Sequence, residues 1–187
     1  MIQIAVFASG NGTNAENIIK YFQGHPKLKI ALVTSNNKVS NVLKRAKKHN
    51  IPTLIFSSEE LNNRAVLKEL QKREINFIVL AGFLLKIPSN LIRAYPKKII
   101  NIHPSLLPLY GGKGMYGMHV HKAIIENKES VSGITIHYVT SNYDEGPIIF
   151  QKEVSIDPSD TAKDLANKIH DLEMHYFPKV VEKILIR

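Results

Sequence analysis

The alternation of continuous apolar runs with amphipathic helical stretches is the feature that most restricts how this chain can fold. Residues 1–8 (MIQIAVFA) and 76–81 (NFIVLA) are short runs of mostly apolar residues, which is typical of strands buried on both faces of a parallel sheet. Residues 38–50 and 59–73 carry apolar side chains at helical spacing. Strands that alternate with helices predict a parallel sheet covered by helices.

The last third of the chain departs from this pattern. Residues 132–140 (SGITIHYVT) and 147–156 (PIIFQKEVSI) alternate polar and apolar side chains, which predicts an antiparallel hairpin at the edge of the sheet. A final helix is expected from Ser159 or Asp160 to about residue 184, broken or kinked at Pro178. We therefore expect an α/β fold, a single three-layer domain over residues 1–187 with a mostly parallel, twisted, Rossmann-like sheet.

The composition excludes several classes of protein. The 187 residues are 44% hydrophobic and 22% charged, which is ordinary for a globular protein, and the absence of cysteine excludes disulfides and thiolate chemistry. No run is long enough to span a membrane, and no basic region precedes the first strand, so a cytoplasmic protein is expected. The formal charge of +9 suits anionic ligands. The basic residues are dispersed, however, and their densest cluster, at 44–48, fits a solvated helix face better than a nucleic-acid surface.

A glycine turn at residues 9–14 (SGNGTN) joins the first strand to a helix predicted over residues 15–22. The turn fits the loose dinucleotide-binding pattern, but the second strand ends without the carboxylate that would hold a ribose. We therefore interpret Gly12, Thr13 and Asn14 as a cradle for a single phosphate, formed by backbone N–H groups at a helix N-terminus. A simple helix cap, which Thr13 or Asn14 could provide unaided, is the alternative.

Three polar residues in two turns have the chemistry that acyl transfer requires. Asn101 and His103 share one face of a β-branched strand, and Asp144 lies in a turn closed by Gly146-Pro147. An amide N–H and an imidazolium can stabilise an oxyanion, and a carboxylate beside the imidazole raises its pKa. From spacing alone, hydrogen-bonding caps are the more common explanation of such residues.

Two further segments keep alternative interpretations. The apolar loop at 82–88 (GFLLKIP) follows a buried strand, at the edge where open α/β sheets bind ligands, although core packing explains it about as well. His137 lies in phase with the alternation of its strand, so it faces either a site or a pocket that satisfies its hydrogen bonds. His119 and His121 do not share a helical face, which argues against a metal pair.

Taken together, these motifs resemble the folate-dependent formyltransferase superfamily over essentially the whole chain. The most specific match is residues 101–108 (NIHPSLLP) with the downstream Asp144-x-Gly146-Pro147, and residues 81–83 and 133–140 also match. The glycine turn narrows the resemblance to the branch that acts on glycinamide ribonucleotide. The family commonly has a short Pro-Gly turn where this chain has the longer loop Gly111–Gly117, a departure that is not expected to touch the catalytic residues.

The resemblance implies that Asn101, His103 and Asp144 are catalytic. It also implies a set of substrate contacts: Gly12, Thr13 and Asn14 with the phosphate; Arg64, Leu84, Leu85, Lys86 and Ile87 with the folate; residues 140–144 on the pterin side; and Glu173 with the ribonucleotide.

The reaction implied by the resemblance is formyl transfer from 10-formyltetrahydrofolate to the amine of glycinamide ribonucleotide, a step of purine biosynthesis. Asn101 and a protonated His103 would stabilise the oxyanion, with Asp144 raising the pKa of His103. The partners would be these two small molecules, without metal, nucleic acid or membrane, and the protein would be a monomer or weak homodimer. A related formyltransferase or formyltetrahydrofolate hydrolase with another acceptor, and a non-catalytic nucleotide-binding module, are the alternatives.

Overall fold

A computed structural model describes residues 1–186, in which seven strands form one sheet in the order β3-β2-β1-β4-β5-β6-β7. The strands are β1 (Ile2–Phe7), β2 (Leu28–Ser35), β3 (Thr53–Ile55), β4 (Phe77–Leu80), β5 (Ile99–His103), β6 (Val131–Tyr138) and β7 (Ile148–Ser155). β1 to β5 pair in parallel, whereas β6 and β7 pair antiparallel to their neighbours. The prediction of a mostly parallel sheet with a C-terminal hairpin is confirmed. The predicted domain boundary at Arg187 lies outside the described residues.

Helices cover both faces of the sheet and complete three layers. They are α1 (Thr13–Tyr21), α2 (Asn41–Lys48), α3 (Ser58–Asn62), α4 (Ala65–Lys72), α5 (Ser89–Ala94), α6 (Met118–Glu126) and α7 (Ala162–Leu185). Within β1, Ile4 and Val6 pack in the cluster that contains α1, α2, α6 and α7, whereas Ala5 and Phe7 pack with α3, α4 and α5. Because successive side chains of a strand point to opposite faces, one buried strand supports both hydrophobic cores.

Residues 59–73 form two helices, so the prediction of a single helix there is wrong. α3 ends at Asn62, and α4 begins after Arg64, which adopts a left-handed backbone conformation with φ of 74°. The Asn63 side chain accepts a hydrogen bond from the Ala65 N–H at 3.0 Å. Asparagine side chains compete with helical hydrogen bonds in this way, and apolar spacing does not reveal the break.

The last helix differs from its prediction in where it begins and in its continuity at Pro178. It begins after Thr161, because Thr161 and Asp164 form a reciprocal capping box. The helix then continues through Pro178 to Leu185, so it is not broken there, and the alternative of a kink at Pro178 stays a prediction. Proline has a helix-compatible φ, and the burial of Phe177 and Val181 holds the turns on either side of it in place.

The sheet order reverses between β1 and β4, and this reversal places the candidate site. From β1 the chain runs outward through β2 to β3 on one side, and then returns to the other side of β1, where β4 and β5 follow. In open α/β sheets the carboxyl ends of the strands at such a switch point border a crevice. No helix within residues 1–186 has both the length and the apolar character needed to cross a membrane.

Candidate active site

A cavity of about 790 Å³ lies at the carboxyl ends of β1, β4 and β5. Its wall includes the glycine turn, the segment after β4, the end of β5, the loop before α6, the Asp144 turn and one face of α7. The residues predicted from the resemblance to contact substrate or catalyse the reaction line this cavity, with the exceptions of Arg64 and Ser141. The strand ends therefore bring together segments that are far apart in the chain.

The glycine turn has the geometry of an anion cradle. Gly12 adopts a left-handed conformation with φ of 75°, and an added Cβ would lie 2.5 Å from side-chain atoms of Val42. Gly12 is also the N-cap of α1, and no side chain of the described residues caps this end. The alternative of a helix cap from Thr13 or Asn14 is therefore wrong. The Asn14 side chain instead donates from Nδ2 to Glu173 Oε2 at 2.7 Å, which ties the turn to α7.

Asn101 is oriented by the strand beside it. It lies directly opposite His137 in the antiparallel pairing of β5 with β6. His137 Nδ1 is 2.9 Å from the Tyr138 carbonyl oxygen, which can only accept, so this nitrogen carries the proton. His137 Nε2 lies 3.2 Å from Asn101 Nδ2 and 3.5 Å from Asp144 Oδ1, so the ring lies against both side chains. His137 thus faces the site, which answers the question that its strand position left open.

His103 is almost completely buried, with 3% of its surface exposed. Its Nε2 donates to the Tyr110 carbonyl oxygen at 2.8 Å, and its Nδ1 lies 3.5 Å from Asp144 Oδ2. Burial lowers the pKa of His103 below its ordinary value, even though the Asp144 carboxylate and the Tyr110 carbonyl oppose that shift. The Asp144 carboxylate thus acts in the predicted direction, although burial acts more strongly against it, and the protonation of His103 during the reaction stays a prediction.

Asp144 is held by groups from three segments. Burial acts to raise the pKa of its carboxyl, but contact with His137, the nearby His103 ring and the N–H of Gly112 together hold that pKa below its ordinary value. The Gly112 N–H donates to Asp144 Oδ2 at 2.9 Å, and Asp144 Oδ1 lies 3.5 Å from His137 Nε2. The glycine-rich loop, which departs from the family pattern, therefore contacts one of the catalytic candidates directly.

The predicted folate loop and Arg64 lie in different places. The segment 84–87 lines the cavity, its first N–H donates to Ser9 Oγ at 3.0 Å, and Lys86 Nζ lies 6.0 Å from the Tyr143 ring centroid. Arg64 lines a second, shallower depression together with Asn90 and Arg93. The roles of the loop and of Arg64 as folate contacts stay predictions.

Sequence reasoning missed two histidines that line the cavity. His121 is buried, burial lowers its pKa, and its Nδ1 has no partner within residues 1–186. His170 lies on α7 with its Nδ1 3.8 Å from Glu173 Oε2, and this carboxylate raises the pKa of His170. The sequence contained a signal for His170, since it precedes Glu173 by one helical turn. None of the described His, Asp and Glu side chains form a group of three that could hold a metal ion.

Comparison with known proteins gives a consistent picture. The family model described as formyl transferase matches residues 2–181. Phosphoribosylglycinamide formyltransferase of Bacillus subtilis is 37% identical, and the alignment covers 99% of this chain and 95% of that protein. The chloroplastic phosphoribosylglycinamide formyltransferases of Arabidopsis thaliana and Vigna unguiculata are each 38% identical, and the matched regions span 65% and 60% of their respective lengths.

Solved structures resemble the whole fold. Glycinamide ribonucleotide transformylase 1 from Geobacillus kaustophilus superposes with a TM-score of 0.89 at 34% identity, over 99% of both chains. Phosphoribosylglycinamide formyltransferase from Bacillus halodurans has a TM-score of 0.88 at 37% identity, over 98% of this chain and 95% of the other. Sequence and structure therefore lead to the same set of relatives.

Proposed function

Because the chain belongs to the formyl transferase family, we propose that it transfers a formyl group from 10-formyltetrahydrofolate to the amine of glycinamide ribonucleotide. The observation that carries the proposal is the meeting of Asn101, His103 and Asp144 on the wall of a cavity that also contains the glycine turn. The names of the Bacillus subtilis relative and of the solved structures support the same acceptor and the same place in purine biosynthesis.

The two substrates would occupy different parts of the cavity. Backbone N–H groups of Gly12, Thr13 and Asn14 would hold the phosphate, helped by the positive end of the α1 dipole. Glu173, which already accepts a hydrogen bond from the Asn14 side chain, would accept a second hydrogen bond from a ribose hydroxyl. The apolar segment 84–87 would contact the folate ring system, and Arg64 would meet the acidic tail where it leaves the cavity. The net charge of +9 would attract both anionic substrates.

The reaction would proceed by direct attack of the amine on the formyl carbon. A new C–N bond forms, the carbonyl oxygen becomes an oxyanion, and Asn101 donates an amide N–H to that oxygen. His103, whose pKa is lowered by burial, would accept the proton that the attacking nitrogen loses. The bond from carbon to the folate nitrogen then breaks, and His103 returns its proton to that leaving nitrogen. Negative charge on the oxyanion and on Asp144 raises the pKa of His103 as the reaction proceeds.

The remaining parts of the proposal concern what the reaction needs and where it occurs. The formyl group is activated by its folate nitrogen, so we propose that no metal takes part. The proposed location is the cytoplasm, and the proposed form in solution is a monomer or weak homodimer, with no nucleic acid or membrane partner.

The deciding experiment is an absorbance assay of folate product formation, run with and without glycinamide ribonucleotide. Turnover that requires the ribonucleotide, and that continues in the presence of a chelator, supports the proposal. Product formation without any acceptor would show a hydrolase. The absence of product in both reactions, combined with salt-sensitive binding of nucleic acid, would show a non-catalytic binding module.

A further inference from the structure

Tyr110 combines an unusual backbone conformation with an anchored side chain. Its φ of 56° lies in the left-handed region, which is costly for a residue that bears a bulky side chain. Its hydroxyl donates to Glu129 Oε1 at 2.6 Å and accepts from Asn127 Nδ2 at 2.9 Å. Both partners come from the end of α6 and the turn that follows it. The Tyr110 side chain is therefore anchored next to a backbone conformation that is costly to adopt.

The backbone around Tyr110 contacts both His103 and Asp144. The Tyr110 carbonyl accepts from His103 Nε2, while the Gly112 N–H donates to Asp144 Oδ2. Gly111 lies between these two contacts, and a Cβ at this position would be 2.5 Å from Leu107 Cδ2 and 3.2 Å from Asp144 Cβ. The backbone from Tyr110 to Gly112 therefore lies in close contact with His103 and Asp144.

We propose that Tyr110 is a positioning residue for His103, whose carbonyl fixes the proton of the neutral ring on Nε2. The proposal rests on the proposed function, because it assigns Nδ1 as the nitrogen that receives the proton during formyl transfer. A carbonyl oxygen cannot donate, so the contact excludes the tautomer with a bare Nε2. Without that contact, the proton of the neutral ring would move to Nδ1, where it would face Asp144, and the nitrogen left to accept a proton would be Nε2, on the Tyr110 side of the ring.

The charged environment of His103 favours that other tautomer unless Tyr110 opposes it. The titratable groups that face the ring are Asp144, His137, His121 and Glu173. Of these, Asp144 is the carboxylate nearest to Nδ1, and it would stabilise a proton there. Fixing the proton on Nε2 therefore requires a second acceptor, which the Tyr110 carbonyl supplies.

The test compares Tyr110→Phe with Tyr21→Phe. Tyr21 also donates to a glutamate, Glu182, at 2.6 Å, but it lies at the far end of α1 and outside the cavity wall. For Tyr110→Phe we expect kcat to fall about 3- to 10-fold, the effect of one lost hydrogen bond, with both KM values within about twofold. Nitrogen NMR of His103 in the ligand-free protein should show the Nδ1–H tautomer appearing, and a lower pKa for the ring. Tyr21→Phe should change none of these quantities.

Glu129 provides a conservative rescue. Glu129→Gln keeps an oxygen that accepts from the Tyr110 hydroxyl, so its kcat and its His103 spectrum should match those of the parent, whereas Glu129→Ala should reproduce Tyr110→Phe. An unchanged His103 spectrum in Tyr110→Phe, or an equal loss of turnover in Tyr21→Phe, would overturn the proposal. If the spectrum changes as expected but the parent protein transfers no formyl group, the positioning role stands and the proposed function fails.

Discussion

The two ends of the cavity are built in different ways, although both would bind charged groups. At the glycine turn, six consecutive residues form the cradle, and its donors are backbone N–H groups at the start of α1. At the other end, Asn101, His103, His137 and Asp144 come from two strands and a loop, and they are fixed by contacts with one another. The first end is a property of local sequence, whereas the second exists only when the sheet has formed.

Their electrostatics differ for the same reason. The proposed cradle is open to the cavity, so an anion there would remain partly solvated and would be held by dipoles. The catalytic end is buried, so the removal of water lowers the pKa of His103 even with a carboxylate 3.5 Å away. Substitutions at the cradle should therefore affect binding, and substitutions at the buried end should affect turnover.

Asn101→Ala should produce the largest effect of all. Loss of one oxyanion donor lowers kcat by about 10²–10³, while the KM for the ribonucleotide should change little because the cradle is untouched. Asn17→Ala is a suitable control, since its amide also donates a hydrogen bond, to the Met174 carbonyl at 2.7 Å, but lies outside the cavity wall. Steady-state kinetics with both substrates measures the difference, and activity of Asn101→Ala within a few-fold of the parent would contradict the assigned role.

Gly12→Ala should show the opposite division between binding and turnover. A side chain at φ of 75° costs about 1–2 kcal/mol, and the new Cβ would collide with Val42, so the KM for the ribonucleotide should rise about 5- to 30-fold. The kcat should stay within a few-fold of the parent value. Gly24→Ala introduces the same backbone cost, because Gly24 also has φ of 75°, but no atom lies within 4 Å of its Cβ. An equal rise in KM for both variants would show that the glycine turn does not bind the ribonucleotide.

The burial of the catalytic end should also make the protein sensitive to acid. Burial lowers the folded-state pKa of His103 and of His121 below the unfolded value of about 6.5. Between the two values the unfolded chain binds more protons, so stability is present above pH 6.5 and is lost as the pH falls through the folded pKa. The lowered pKa of Asp144 adds a second loss, which occurs below its unfolded value.

His103→Asn should therefore reduce the pH dependence of the free energy of unfolding just below pH 6.5. One histidine accounts for at most about 1.4 kcal/mol per pH unit, which denaturant titrations at several pH values can detect. The raised pKa of His170 acts in the opposite direction, but it is common to all variants and cancels. His175→Asn, a change at an exposed position of α7, is the control. A slope for His103→Asn equal to that of the parent would show that burial of the ring does not govern its protonation.

The same distinction explains what could be predicted from the sequence. Apolar runs predict the strands, and the glycine turn at residues 9–14 predicts the cradle, because both depend on neighbouring residues. The pairing of Asn101 with His137 depends on the register of β5 against β6, which no local pattern determines. The pKa of His103 depends on burial by other segments, and the support from Tyr110 depends on the path of a glycine-rich loop. The resemblance identified the three catalytic candidates without revealing the groups that control them.

Arg45→Gln should give the smallest effect. It tests whether the cradle depends only on residues of the glycine turn or also on a contact from α2. Arg45 on α2 donates from Nε to the Asn11 carbonyl at 2.8 Å and from Nη1 to Glu16. Contact with His49 and with Arg45 keeps the pKa of Glu16 low against the effect of burial, so a negative charge lies in the first turn of α1. Without Arg45, this charge would oppose a phosphate, and Asn11 would lose its support.

We expect the KM for the ribonucleotide to rise about two- to fivefold in Arg45→Gln, the range of a partly exposed ion pair, with kcat and the KM for the folate unchanged. Arg73→Gln removes an arginine–glutamate pair of 3.3 Å on α4, away from the cavity, and should alter none of the three constants. A fall in kcat, or an unchanged KM for the ribonucleotide, would show that Arg45 does not support the cradle. The expected result would show that the cradle also depends on one tertiary contact, from Arg45 to Asn11. The two ends of the cavity would then differ only in the number of tertiary contacts that each requires.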